Sequence, residues 1–195
     1  MNKKIKQYSA LAIAAAAALP LSCKKDDKND PNIEDKTLNK VITASGVDFF
    51  SEDSIDINSD GVFDFNFSIG GELYDGNTYA YGYINGTRAG NALLTTEQTF
   101  LGYTMEVLTA KNSGDAINST STDWTEESYI GYKYNSDQIG HANGSDKIFG
   151  FRFKIGSDTH YGWVKTNLAS DYKTLTIKEI AYNKTANAEI KAGEK

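Results

Sequence analysis

The sequence is poor in the residues that build many active sites and disulfide-stabilised folds. Its 195 residues include one cysteine, two histidines, two prolines and two methionines. A single cysteine excludes an internal disulfide. His141 has no cysteine or second histidine near it in the sequence, which argues against a zinc site. There is also no Gly-x-Ser-x-Gly motif, no phosphate-binding loop and no His-Glu-x-x-His pair. The sequence therefore predicts no catalytic residue.

Long hydrophobic runs are absent except near the start of the chain. Ala10 to Leu19 is an apolar run that is too short to span a membrane. Three lysines precede this run, and Leu19-Pro20-Leu21-Ser22 follows it directly before Cys23. A positive start, a short apolar core and a small residue before the cleavage point are typical of a secretory signal sequence.

Residues 1–23 resemble a bacterial lipoprotein signal that ends in a lipobox. The resemblance implies that residues 1–22 are removed and that Cys23 carries palmitate or related acyl chains. Each buried methylene of such a chain contributes about 0.8 kcal/mol to membrane binding. The expected location is therefore the outer membrane or cell surface, with the protein held by a lipid anchor. Lys24-Lys25-Asp26-Asp27 resembles the short acidic export signals of lipoproteins of the Bacteroidota, and the alternative interpretation is a solvated linker.

The composition divides the remaining chain into a linker and a β domain. Residues 23–40 are rich in Lys, Asp and Asn, which predicts a lipidated cysteine followed by a disordered tether. Residues 41–195 are long enough for one domain with a sizeable core. The 17 glycines, 12 tyrosines and 9 phenylalanines of the chain favour strands over helices.

Residues 56–64, Asp-Ile-Asn-Ser-Asp-Gly-Val-Phe-Asp, predict a calcium loop between two strands. Oxygen-bearing side chains stand at relative positions 1, 3, 5 and 9, and Gly61 permits a sharp reversal of the chain. Calcium takes six to eight oxygens in a flexible shell. The predicted ligands are Asp56, Asn58, Asp60, the carbonyl of Val62, and Asp64.

The loop resembles the Asp-x-Asn-x-Asp-Gly-x-x-Asp turns of integrin-type repeat blades and of many secreted bacterial β proteins. Phe67 stands at position 12, where an EF-hand needs a bidentate glutamate, so an EF-hand is excluded. The alternative interpretation is a hairpin turn without metal, because Asn, Asp and Gly dominate turns.

Apolar alternation and turn residues predict an all-β fold. Short strands recur every 8–12 residues or so between Gly, Asn and Asp turns, which is typical of an antiparallel β-sandwich with hairpin and meander connections. The clearest strands are Ile148–Ile155, His160–Leu168 and Thr174–Tyr182. In the last of these the apolar phase changes, which predicts a β-bulge near Lys178 or Glu179.

A wider resemblance rests on four segments that follow one another in the C-terminal third. They are Phe149-Gly150-Phe151-Arg152-Phe153, His160-Tyr161-Gly162-Trp163-Val164, Ile180-Ala181-Tyr182 and Ile190-Lys191-Ala192-Gly193. Together with the predicted calcium loop they are similar to a group of secreted bacterial β proteins over most of residues 46–193. The resemblance implies architecture and secretion, and it implies no activity.

Aromatic side chains supply the candidate binding residues. An exposed stacking surface for sugar is one interpretation of Tyr79, Tyr81, Tyr83, Tyr129, Tyr132, Tyr134 and Trp124. The alternative is a tyrosine-rich core whose hydroxyls reach the surface. On the strand that begins at His160, Tyr161 and Trp163 share one face, so His160 is expected at the surface.

Charge and anchoring lead to two hypotheses about function. The chain has 26 acidic against 20 basic residues, and an acidic surface repels nucleic acid, so no nucleic-acid partner is expected. The first hypothesis is a non-catalytic surface lipoprotein that is stabilised by calcium and binds a glycan or a protein. The alternative is an anchored hydrolase of polysaccharides, which needs two carboxylates about 5–10 Å apart in a cleft.

Overall fold

Alternating apolar and polar residues form strands throughout residues 30–195, the part of the chain that the computed structural model describes. Residues 1–29 contain the predicted signal sequence and Cys23, and those predictions lie outside the described residues. In chain order the strands are β1 (Ile33–Thr43), β2 (Phe49–Ile55), β3 (Phe65–Tyr74), β4 (Asn77–Gly86), β5 (Ala92–Phe100), β6 (Tyr103–Leu108), β7 (Ala110–Lys111), β8 (Ala116–Ile117), β9 (Trp124–Thr125), β10 (Glu127–Tyr134), β11 (Asp137–Gly140), β12 (Lys147–Ile155), β13 (Asp158–Leu168), β14 (Thr174–Asn183) and β15 (Ile190–Lys191).

All the strands except β8 and β15 form one long, mostly antiparallel sheet that folds over on itself, so the all-β sandwich predicted from the sequence is confirmed. Strands β8 and β15 pair with each other in a separate two-stranded sheet. The strand order is β1-β14-β13-β12-β5-β6-β10-β4-β3-β2. Strand β5 turns the corner between the halves, because Leu93 pairs with Phe151 of β12 while Thr95 pairs with Leu108 of β6. Phenylalanines from the two halves meet in the core, where the rings of Phe65 and Phe151 are 5.4 Å apart.

Two lysines of β1 bridge the gap between the first and last strands of the sheet. Lys40 Nζ donates to Asp53 Oδ2 of β2 at 2.8 Å, and Lys36 Nζ donates to the Ile57 carbonyl and to Ser59 Oγ. In a fully closed barrel, the first and last strands would be joined by backbone hydrogen bonds, and here these side-chain bonds take that place. The sheet is therefore nearly closed, with β1 held to β2 through charged side chains.

The predicted tether is wrong for its last part. Residues Ile33–Thr43 form strand β1, which pairs with β14 from Ile33↔Asn183 to Thr43↔Thr174. The Lys, Asp and Asn residues of this segment suggested a solvated linker. However, its ends are apolar, and Ile33 and Ile42 are both buried. The β domain therefore includes residues 33–40, and it does not begin at residue 41.

The predicted β-bulge in β14 is confirmed at Lys178. Lys165 pairs with Glu179 while Thr166 pairs with Ile177, so Lys178 is left without a counterpart on β13. The extra residue restores the inward phase, and four apolar side chains of this strand are buried on the core side: Leu175, Ile177, Ile180 and Tyr182.

Strand β13 is buried on both faces, which corrects the expectation that His160 lies at the surface. On the outer face, Trp163 packs with Ile117 of β8 and Ile190 of β15, and its indole Nε1 donates to the Glu194 carbonyl at 3.0 Å. On the inner face, His160 packs between Phe153 and Tyr182. The C-terminal segment covers this half of the sheet, and strand alternation alone does not reveal such a cover.

The two ends of the sandwich carry different loops. One end, here called the loop end, holds the β2–β3 connection 56–64, the β4–β5 connection and the first residues of β1. The opposite end holds the β1–β2 connection and the tight turns at 75–76 and 101–102. No helix in residues 30–195 has the length and apolar character that a membrane span requires.

Candidate functional site

The predicted calcium loop is a non-helical turn whose polar side chains bend toward its own backbone. Asp56 accepts from the amide of Gly61 at 2.8 Å and from that of Asp60 at 3.2 Å. Asp60 Oδ1 accepts from Val62 N at 2.9 Å, and its Oδ2 accepts from Asn58 Nδ2 at 3.1 Å. The structure therefore brings these polar side chains together around one turn, while the Val62 side chain is 46% exposed.

Asp64 closes the loop from inside the protein. Its side chain is fully buried, and Oδ2 accepts from Ile57 N at 2.9 Å while Oδ1 has no hydrogen-bond partner. Burial raises the pKa of Asp64, and the nearby Asp60 and Asp56 raise it further. An unpartnered carboxylate oxygen in the interior is costly, so this position favours a cation.

Arg88 is the protein group that could balance the charge of Asp64 in place of a bound cation. Its Nη1 lies 3.5 Å from Asp60 Oδ2 and 4.0 Å from Asp64 Oδ1, at the limit of an ion pair. Nη1 is itself buried and has no hydrogen-bond partner. The guanidinium therefore approaches the carboxylates without forming a close bond to either.

The residues of the loop fit a calcium ion by their chemistry, although they are not gathered around one point. Within residues 30–195 no group of three His, Cys, Asp or Glu side chains has the arrangement of a metal cluster. The buried Asp64 Oδ1 offers a ligand, whereas Asp56 and Asp60 are bound to loop amides. Binding would require those two carboxylates to turn from the amides toward Asp64.

The second candidate site is the outer face of the half-sheet β2-β3-β4-β10. Three tyrosine pairs stand side by side across β4 and β10, and they are Tyr79↔Tyr134, Tyr81↔Tyr132 and Tyr83↔Tyr129. All six side chains are half-buried. Strands rise about 3.4 Å per residue, so the ladder of pairs is about 14 Å long. The ring centroids of Tyr83 and Tyr129 are 5.0 Å apart, and those of Tyr79 and Tyr134 are 4.9 Å apart.

Two backbone features make this ladder. Tyr129 and Tyr132 have opposite phases in the sequence, but the pairing slips by one residue at Ile130, which places both tyrosines on the same face. On β3, Gly70 leaves room for the ring of Tyr81, because a Cβ at Gly70 would lie 2.3 Å from Tyr81 Cζ. The tyrosines therefore lie over the sheet as a continuous aromatic surface.

Polar side chains from the neighbouring strands complete the surface. The register places residues of β2 and β3 in the same rows as the tyrosines. We call the whole set the tyrosine face, and its members are Phe50, Glu52, Ser54, Asn66, Ser68, Gly70, Glu72, Tyr79, Tyr81, Tyr83, Asn85, Glu127, Tyr129, Tyr132 and Tyr134. None of these residues is Lys, Arg or His, and its only charged side chains are three glutamates.

Hydrogen-bonding groups on the tyrosine face are only partly used within the protein. Asn66 Nδ2 donates to Glu52 Oε2 at 2.7 Å, while Asn66 Oδ1 is buried without a partner. Burial raises the pKa of Tyr81, Tyr83, Tyr129 and Tyr132, and for Tyr83 a hydrogen bond to Glu127 adds to the effect. These phenols are therefore protonated at neutral pH and can donate hydrogen bonds.

A small open depression of about 240 Å³, lined by Glu72, Tyr79 and Tyr81 among others, lies on the face together with two larger ones. One has a volume of about 390 Å³ and is lined by Phe50, Glu52, Asn66, Tyr81, Tyr83 and Tyr129, among others. The other, about 450 Å³, is lined mainly by tyrosines, together with Phe100, Leu101 and Met105 from the β5–β6 hairpin. Both lie within the size range of small-ligand sites.

Trp124 does not belong to the tyrosine face. Its ring lies 6.0 Å from that of Tyr161, on the outer side of the other half-sheet, and Arg152 Cζ stands 5.0 Å from the indole centroid. The sequence suggested that Trp124 belongs with the tyrosines, because Trp124 lies only three residues before β10. Strand β9, however, pairs with β5 and leads it away.

Some residues of the face carried no signal in the sequence. Phe50, Glu52 and Asn66 of the face, and Phe100 beside it, were not singled out, because a single polar or aromatic residue on a strand does not indicate its neighbours. The alternation of Ser68, Gly70 and Glu72 opposite Phe67 and Ile69 was the available clue to a polar outer face on β3.

The two histidines serve the fold. His160 Nδ1 donates to the Asn183 carbonyl at 2.9 Å in the core. His141 Nε2 donates to the Leu108 carbonyl at 2.9 Å and packs against Phe149. Neither histidine takes part in a cluster that could hold a metal within the described residues 30–195.

His141 is expected to make stability depend on pH near neutrality. Burial lowers the pKa of His141 below its usual value of 6.5. The unfolded chain therefore binds a proton before the folded protein does, and the free energy of unfolding should fall as the pH drops below 6.5 toward the lowered pKa. Urea unfolding at about pH 7.5 and about pH 5.5 measures this slope. In His141→Gln the slope should be smaller, and equal slopes in the two proteins would contradict the assignment.

Comparison with known proteins gives no relative for this chain: no protein-family model, curated protein or solved structure matches it.

Proposed function

We propose that this protein is a non-catalytic surface lipoprotein that binds a glycan on its tyrosine face and is stabilised by calcium in the loop 56–64. The observation that carries the proposal is the ladder of three tyrosine pairs flanked by amide and carboxylate groups. Aromatic rings offer flat apolar surfaces to the C–H groups of sugar rings, and planar polar side chains suit sugar hydroxyls.

Exposed aromatic area supports a binding role over a purely structural one. The rings of the ladder pack on each other at the surface and add nothing to the main core, which is built from the opposite faces of the same strands. A contiguous aromatic surface of this kind on a soluble domain marks an interaction site. At its rim Phe50 is 60% exposed and Tyr103 is 75% exposed.

The proposed anchor is compatible with an accessible tyrosine face. Nine residues lie between Cys23 and Ile33, and a fully extended chain over the ten steps from one to the other reaches about 35 Å. Strand β1 begins at the loop end, which would therefore face the membrane if Cys23 is lipidated. The tyrosine face lies on the side of the sandwich, so a polysaccharide could reach it from outside the cell.

The structure gives the hydrolase alternative no support. Of three depressions lined by residues of the tyrosine face, one has a single carboxylate, Glu52, another has a single carboxylate, Glu72, and the third has none. Glu52 accepts a hydrogen bond from Asn66 at 2.7 Å. Glycosidases need two carboxylates that face each other across the sugar.

Tyr81→Ala is expected to weaken glycan binding about tenfold or more. Tyr81 stands in the middle row of the ladder, and an aromatic contact of this kind contributes roughly 1.5–3 kcal/mol through buried area, where 1.4 kcal/mol corresponds to tenfold. A glycan array with the purified protein identifies the ligand, and titration calorimetry measures the affinity. Tyr81→Phe keeps the ring and should retain most of the binding.

Tyr74→Ala is the matched control, because Tyr74 is 69% exposed at the β3–β4 turn and has no aromatic partner. It should bind as the unmodified protein does. Failure to bind any glycan on the array with calcium present, or equal affinities of Tyr81→Ala and Tyr74→Ala, would contradict the proposal.

A further inference from the structure

The charge of the tyrosine face restricts the ligand further, on the assumption that the proposed function is right. The tyrosine face contains Glu52, Glu72 and Glu127 and no Lys, Arg or His, and Lys133 of β10 pairs with Ala80 outside it. Lys40, beside β2 at the seam of the sheet, is bound to Asp53 and to the Ser54 carbonyl. An anionic sugar would therefore meet negative charge without a compensating partner.

The remaining polar groups of the tyrosine face match the hydroxyls of a sugar better than they match a positively charged ligand. Glu52 already accepts a hydrogen bond from Asn66, at 2.7 Å. Asn66 Oδ1 has no hydrogen-bond partner in the protein, and the protonated phenols of Tyr81 and Tyr129 can donate hydrogen bonds to a ligand. Neutral hydrogen-bond donors and acceptors match the hydroxyls at the edge of an uncharged pyranose ring. The aromatic rings beside them match its flat face.

We infer that the ligand of the tyrosine face is an uncharged polysaccharide strand, without uronic acid or sulfate groups. The length of the ladder, about 14 Å from the row of Tyr79 to the row of Tyr83, extends beyond a single sugar ring. Contact along the three rows favours a chain of several sugars, and each row provides one tyrosine pair.

Affinity electrophoresis in gels that contain soluble polysaccharides tests this inference. The neutral probes are galactomannan, xyloglucan, dextran and fully methyl-esterified polygalacturonan, and the anionic probes are polygalacturonate, alginate and dextran sulfate. At least one neutral probe should retard the protein and none of the anionic probes should. Retardation should persist from about 0.01 M to 1 M salt, over which the Debye length falls from roughly 30 Å to 3 Å.

Glu72→Lys provides an independent test of the charge argument. Glu72 is exposed, pairs with Tyr79 across the sheet and can be replaced without disturbing the core. The variant should gain retardation by dextran sulfate, which the unmodified protein should not show. Glu72→Gln removes the negative charge without adding a positive one, so it should not gain that retardation.

The outcomes separate the inference from the proposed function. Retardation of the unmodified protein by anionic probes alone, lost in Tyr81→Ala, would overturn the uncharged ligand and leave glycan binding in place. Equal retardation by neutral and anionic probes would also overturn it. No retardation by any probe, together with an empty glycan array, would contradict the proposed function itself.

Discussion

A chain shortened to begin at residue 41 is expected to lose its cooperative fold. Removal of residues 1–40 would take away most of strand β1 and with it the pairing of Ile33–Thr37 and Lys40 with β14. Burial of Ile33 alone contributes about 1.5–3 kcal/mol. The shortened chain would also lose the bonds of Lys36 and Lys40 to the other end of the sheet.

The loss of stability should be decisive, because the free energy of unfolding of a domain of this kind is only about 5–15 kcal/mol. Strand β14 would become an open edge, and an exposed edge strand promotes aggregation. Circular dichroism melting of chains that begin at residues 30 and 41 measures the effect. The longer chain is the control and should melt cooperatively, and equal melting temperatures of the two would contradict the assigned role of β1.

Removal of calcium from the site proposed in loop 56–64 is the second change with a large expected effect. Extracellular calcium modules bind with dissociation constants of about 10⁻⁴–10⁻³ M. At ten times that concentration the ion adds roughly 1.4 kcal/mol to the free energy of unfolding. For a domain of this size the melting temperature should therefore fall by about 3–6 °C in chelator. The physical reason is the buried Asp64 Oδ1, which has no hydrogen-bond partner in the protein and lies 4.0 Å from the Arg88 guanidinium.

Asp60→Ala should abolish the response to chelator, because this residue supplies a predicted ligand at the exposed side of the loop. Asp137→Ala, at an exposed aspartate of β11, should respond as the unmodified protein does. An unchanged melting temperature in chelator would defeat the calcium proposal. In that case Arg88, 4.0 Å from Asp64 Oδ1, would remain as the group that balances the carboxylate charge.

The sequence predicted those parts of the fold in which local pattern and burial agree. Strands β12 to β14 have long apolar alternation and clear turns, so their bounds and the bulge at Lys178 were predictable. Strand β1 was missed because its middle residues are charged and half-exposed, and its place in the sheet depends on β14, more than 130 residues away along the chain.

The candidate site could be predicted only in part. The alternation of Tyr79, Tyr81 and Tyr83 indicated one aromatic face, but its pairing with β10 required the slip at Ile130, which no local pattern shows. Trp124 was grouped with the tyrosines by proximity in sequence, and β9 directs it to the opposite half of the sheet. The cover that β8 and β15 form over the outer face buries Tyr161 and Trp163 there, so the opposite, inner face of β13 is the one that carries His160 into the core.

The measurement that tests the proposed function most directly is tyrosine footprinting by mass spectrometry, with and without the strongest glycan from the array. The account predicts that Tyr81, Tyr83, Tyr129 and Tyr132 are protected from iodination when the glycan is bound, while the exposed Tyr74 keeps its reactivity. Protection confined to residues outside the tyrosine face, or unchanged reactivity of all the tyrosines with the glycan bound, would contradict it.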